Sequence, residues 1–87
     1  MAKYSAMFYG VPREIEWRDY LISNLPVEEI PDESPDARDK RHELIVSEWL
    51  TSIQQATDNE RSIIIGNRVV NPKHFLLVKV AVTRNTY

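Results

Sequence analysis

The sequence predicts an α+β domain of two layers, in which an antiparallel sheet of three or four strands carries two helices on one face. Three observations predict this class. Apolar residues alternate near the start and at the end of the chain, apolar residues recur at steps of three and four between them, and a Gly-Asn pair joins two short runs of isoleucine and valine. The expected order of elements is β-α-α-β-β-β. The 87 residues suffice for a single domain, 1–87, with a thin core.

The first two predicted elements are a strand that stops at Gly10 and a helix over residues 12–24. Aromatic and small apolar side chains alternate through residues 4–9, as is typical of a strand. Pro12 fits the first turn of a helix, where its missing N–H costs nothing. The Leu25-Pro26 pair ends this helix, because a residue that precedes proline disfavours the α conformation.

Residues 26–36 read PVEEIPDESPD and are predicted to form an acidic, proline-rich internal linker. Its end carries the signals of a helix start, with Ser34 as the N-cap and Pro35 at the first helical position. The helix that follows has an apolar stripe along its length and stops at residues 57–59. The members of the stripe are His42, Ile45, Val46, Trp49, Leu50, Ile53 and Ala56.

The last three predicted elements are strands. Residues 63–65 and 68–70 form a tight hairpin around Gly66 and Asn67, since glycine supplies the positive φ that a II′ turn needs first. A long strand follows a turn at residues 71–74. We expect Phe75, Lys79 and Thr83 to share its mixed face, and we expect this strand to pair with the first one.

Charge is divided along the chain. All thirteen acidic residues lie in the first sixty positions, and residues 61–87 contain five cations and no acid. The net charge is only −2, so an acidic segment is joined to a basic one. Such an asymmetric charge distribution indicates binding to a partner rather than catalysis.

Several classes of function are disfavoured by composition. Two glycines cannot supply a phosphate-binding loop, and without cysteine there is no disulfide or thiolate metal site. Asp39, His42 and Glu43 share one helix face near Asp36, but a single helix offers too few ligands for a metal cage. We therefore predict no metal, no cofactor and no enzymatic activity. No apolar run is long enough for a membrane span, and a cytoplasmic protein is expected.

These observations favour a small protein-interaction module: an accessory subunit, adaptor or inhibitor of a larger protein. The alternative is a nucleic-acid-binding module that uses the basic C-terminal hairpin and the sheet face. We also expect a homodimer, because the helical stripe is wide and the last strand has apolar residues on its mixed face. The residues predicted to contact a partner are Glu28, Glu29, Asp32, Glu33, Trp17, Arg68, Lys73, Phe75 and Lys79.

Overall fold

The computed structural model describes residues 3–14, 18 and 20–85, which form a three-stranded antiparallel sheet, one long helix and a separate two-stranded hairpin. The elements are β1 (Tyr4–Pro12), β2 (Tyr20–Val27), α1 (Pro35–Asp58), β3 (Ile63–Ile65), β4 (Arg68–Val70) and β5 (Phe75–Arg84), with a 3-10 turn at Pro72–His74. The predicted α+β class and the antiparallel sheet are confirmed. Within the described ranges, no helix is both long and apolar enough to cross a bilayer.

The sheet has the strand order β2-β1-β5. β1 therefore lies in the centre, and the expected pairing of the first and last strands is confirmed, with Tyr4 opposite Arg84 and Gly10 opposite Val78. Ala6 and Phe8 of β1 are buried on the face that α1 covers. Alternation along β1 therefore decides which face of the sheet forms the core.

The helix predicted over residues 12–24 is wrong where the structure describes this segment, because Tyr20–Val27 is the edge strand β2. The pairing with β1 shifts register between Phe8 and Tyr9, which leaves Ile22 as an extra residue. This β-bulge places Ile22 and Ser23 on the same side and interrupts the period-2 pattern. Leu25 and Val27 then alternate as strand residues. The order β-α-α-β-β-β is replaced by two strands, one helix and three strands.

A second bulge changes the expected face of Phe75. Pro12 pairs with Phe75 whereas Val11 pairs with Leu77, so Leu76 is the extra residue of β5. The Phe75 ring turns towards the core face, where a Cβ on Gly10 would lie only 2.7 Å from its Cδ1 atom. The prediction that Phe75 shares a face with Lys79 and Thr83 is therefore wrong.

The long helix and the hairpin are confirmed. Ser34 caps α1 by accepting a hydrogen bond from the N–H of Ala37, and Asn59 forms the C-cap. Gly66 has a φ of 64°, as the first position of the predicted turn requires. Ile65 and Val70 are buried, whereas Ile64 and Val69 on the other hairpin face are 66% and 72% exposed.

The helix and the hairpin divide the covered face of the sheet between them. The Trp49 ring of α1 meets the Phe8 ring edge-on at 5.0 Å between centroids. The hairpin turn lies against β2, since a Cβ on Gly66 would be 2.8 Å from Cδ2 of Leu25. This arrangement leaves β5 on the side of the sheet that lies away from the hairpin.

Candidate interaction surface

The acidic residues predicted to contact a partner lie between β2 and α1. Glu28, Glu29 and Asp32 are exposed, and Asp32 has a left-handed φ of 63°. Pro26 and Val27, which the sequence places in the linker, are the last residues of β2. The segment thus leaves the sheet at Val27 and enters the helix cap at Ser34.

Glu33 is held against the start of α1 rather than presented to solvent. Both Nε and Nη2 of Arg41 donate to its carboxylate at 2.9 Å, and Nη1 of Arg41 donates to the backbone oxygen of Glu28 at 3.1 Å. The Glu33 side chain is only 12% exposed. The hydrogen bond from Arg41 lowers the pKa of Glu33, so this carboxylate stays charged and paired at neutral pH.

The basic residues predicted to contact a partner do not converge on one surface. Arg68 is exposed on the hairpin, which lies on the helix side of the sheet. Lys79 lies on the opposite sheet face, with its Nζ atom 5.8 Å from the centre of the Tyr9 ring. Lys73 is in the 3-10 turn, and its Nζ atom is 3.8 Å from Glu60. Trp17, the remaining predicted contact, lies outside the described residues.

A cavity of about 590 Å³ at one end of the sheet brings two of the predicted residues together. Three cations and one acid are among its lining residues, which are Pro12, Arg13, Glu14, Arg18, Tyr20, Lys73, His74 and Phe75. Arg13 connects the two chain segments that line the cavity. The backbone N–H of Arg13 donates to the backbone oxygen of His74 at 3.0 Å, and Nε of Arg13 donates to the backbone oxygen of Lys73 at 2.8 Å. Cations beside aromatic rings are suited to an anionic, planar group.

The polar side chains at the start of α1, among them Asp39 and His42, contact neighbouring residues of the fold. The His42 ring lies 4.8 Å from the Tyr4 ring, and Asp39 lies 3.5 Å from Arg38. Burial lowers the pKa of His42, and the nearby Arg41 and Arg38 lower it further. In the part of the chain that the structure describes, no three His, Asp or Glu side chains are placed to hold a metal ion.

The surface that the sequence did not predict is the free side of β5, called here the β5 edge. β5 pairs with β1 on one side and has no strand partner on the other among the described residues. At ten residues it is about 30 Å long, and every second backbone N–H and C=O along it faces outward. Such a row of unpaired groups is a template for another strand.

An apolar groove runs beside the β5 edge, between α1 and the sheet. Val46, Leu50 and Val82 provide its apolar surface, and its volume is about 480 Å³. Leu50 is 40% exposed, so part of this apolar surface faces solvent. This helix groove would bury the side chains of a strand added to β5, since those on the covered face would lie directly against it.

The other sheet edge, β2, is protected against the same kind of pairing. Pro26 has no N–H to donate, the bulge at Ile22 disrupts the ladder, and the hairpin turn lies over Leu25. β5 has no proline, a regular register from Leu77 to Arg84 and only two charged residues, Lys79 and Arg84. The contrast has a signal in the sequence, namely a long final strand without proline or acid. It becomes informative only once β5 is known to lie at an edge.

The chain matches no protein-family model, no curated protein and no solved structure. Its function is therefore inferred from the surfaces described above.

Proposed function

We propose that this protein is a small, non-enzymatic, cytoplasmic interaction module that binds a protein partner along the β5 edge. The observation that carries the proposal is the contrast between the two edges of the sheet, one protected and one open. Strand addition gives affinity through main-chain hydrogen bonds and specificity through pockets for alternate side chains. The helix groove supplies such a pocket.

The side chains near the β5 edge support contact with a protein rather than with a polyanion. Val78, Val80 and Val82 form its covered face, and Leu50 extends that face along the helix. An apolar centre of this kind carries most of the binding energy at protein interfaces, while charged rims mainly affect association rates. Binding at the β5 edge is therefore expected to survive moderate salt.

The test compares three baits in affinity capture from the native lysate: wild type, Leu50→Glu and Leu44→Glu. Leu44 is the matched control, because it is on the same helix and 58% exposed but does not line the helix groove. We expect the same protein on wild type and Leu44→Glu, and its loss on Leu50→Glu, at both ~150 and ~500 mM salt. Equal capture by all three baits would show that the groove is not the binding surface.

The alternative function is nucleic-acid binding, and the basic cavity beside Lys73 and Phe75 is the observation that favours it. Phosphate contacts would then carry the affinity, which would fall steeply with salt. Arg68 and Lys79 on opposite sides of the sheet weigh against one continuous footprint.

A further inference from the structure

We propose that the β5 edge pairs with the β5 edge of a second copy, in antiparallel register centred on Val80, to give a homodimer with a continuous six-stranded sheet. The inference rests on the proposed function, since it names the partner of the same surface. Its register follows from the lengths and charges of β5.

Two-fold symmetry restricts the register. In an antiparallel pair related by a dyad, one residue lies opposite its own copy, and the remaining residues pair symmetrically around it. Overlap of Phe75–Arg84 with itself is longest when the dyad passes through residue 79 or residue 80. All other centres leave more of the strand unpaired.

Charge separates these two registers. Centring on residue 79 places Lys79 directly opposite Lys79 of the second copy, and like charges in that position are destabilising. Centring on Val80 places Lys79 opposite Ala81, which carries no charge. Lys79 also retains its position over the Tyr9 ring.

The same register makes the covered face apolar close to the dyad. Val80 meets its own copy, and Val78 meets Val82 of the second copy, so β-branched side chains pair at the centre of the overlap, while Leu76 lies opposite Arg84 at its ends. Residues opposite each other in an antiparallel pair point to the same face, and both α1 helices therefore lie on one side of the joined sheet. The two helix grooves then adjoin, which removes the exposed part of Leu50 from water.

A charge-pairing experiment tests the register at Ala81, which is exposed on the uncovered face. Ala81→Lys places a cation opposite Lys79 of the second copy twice per dimer, and Ala81→Glu places an anion there twice. We expect the dimer dissociation constant to rise roughly tenfold for Ala81→Lys and to fall for Ala81→Glu. Adding Lys79→Glu to Ala81→Lys restores opposite charges, and dimerisation is expected to recover.

Cysteine cross-linking gives an independent reading, because the chain has no cysteine of its own. Val80→Cys is expected to form an intermolecular disulfide under mild oxidation. Ala81→Cys is the control, since in this register its Cα atom is about 8 Å from its copy, too far for a disulfide. Lys79→Cys tests the competing register, in which residue 79 lies opposite its own copy. Cross-linking of Lys79→Cys but not of Val80→Cys would overturn the register centred on Val80.

Sedimentation equilibrium on the wild type decides the dimer itself. We expect twice the chain mass of 10.2 kDa at micromolar concentration. A mass of 10.2 kDa at high micromolar concentration overturns the homodimer.

Capture of a different protein that depends on Leu50 would then leave the proposed function standing. A dimer that Leu50→Glu leaves intact would instead contradict the shared surface. Circular dichroism spectra of every variant are compared with that of the wild type, so that dissociation of the dimer is distinguished from unfolding of the chain.

Discussion

The surroundings of His42 favour the neutral form of its imidazole. Burial, followed by the charges of Arg41 and Arg38, lowers its pKa from 6.5, while Asp39 and Glu33 act in the opposite direction. Its buried Nε2 atom has no hydrogen-bond partner in the described structure. The folded chain therefore holds a neutral imidazole at neutral pH.

We expect His42→Gln to reduce the loss of stability between pH 6.5 and pH 4.5. Because the pKa of His42 is lower in the folded chain, the unfolded chain binds a proton first as the pH falls through 6.5, and the free energy of unfolding decreases. Below pH 4.5 the protonation of Glu33, whose pKa is also lowered, adds a further loss in both proteins. Urea unfolding at a series of pH values measures the slope. Parallel curves for wild type and variant would show that His42 does not contribute.

At the scale of elements, the cap of α1 tests how far local sequence controls the fold. Ser34→Ala removes the hydroxyl that accepts from the N–H of Ala37 at 3.2 Å, and it is expected to cost about 1 kcal/mol. Ser47→Ala is the matched control, because Ser47 is exposed within the same helix and alanine has the higher helix propensity. Thermal melts compare the two variants. Equal midpoints would mean that the cap contributes nothing measurable.

The elements that the sequence predicted are those whose signals are local. Ser34 and Pro35 mark the start of α1, and Gly66 marks the hairpin turn, because each satisfies a backbone requirement within a few residues. β2 was missed because the bulge at Ile22 puts neighbouring residues on one face, which imitates a helical pattern. Phe75 was misplaced for the same reason. Bulges arise from pairing with a distant strand, and nothing within residues 20–27 or 75–84 specifies them.

The candidate site was less predictable than the fold. The sequence indicates an apolar final strand, but whether that strand lies in the centre or at the edge of a sheet depends on its pairing with β1 and on the absence of a further neighbour in the described structure. Val46 and Leu50 read as ordinary stripe residues until the helix is placed over the sheet. Charged residues were easier to notice in the sequence. However, the Glu33 carboxylate is hydrogen-bonded to Arg41, and the cations lie on different surfaces of the molecule.

At the scale of the whole molecule, Trp49 joins the helix to the centre of the sheet. Its ring meets Phe8, which is fully buried, and it is itself half-buried. Trp49→Ala is expected to cost about 2–3 kcal/mol, somewhat less than truncation of a fully buried ring. For a domain of this size the melting midpoint should fall by roughly 8–24 °C. Leu44→Ala, on the exposed side of α1, should shift it by no more than a few degrees. A small shift for Trp49→Ala would show that the tryptophan contributes little to the core, and its role would then be contact with a partner.

The distribution of cations over the whole molecule leads to the last prediction. A nucleic-acid strand gains affinity by neutralising several phosphates at once, so its contacts must lie along one path. Arg68 and Lys79 lie on opposite sides of the sheet, and Lys73 is close to Glu60. The basic cavity alone is too short to follow a strand over many nucleotides.

We therefore expect no retention of mixed-sequence DNA or RNA in a gel shift at about 150 mM salt, where a Debye length of ~8 Å screens weak, scattered attraction. At ~20 mM salt weak binding is expected, and it should fall with each added increment of salt. Sub-micromolar binding at 150 mM would contradict the prediction. If Lys73→Glu also abolished that binding without altering the circular dichroism spectrum, the cavity lined by Arg13, Lys73 and Phe75 would be a phosphate site, and the β5 edge would have to be a second, separate surface.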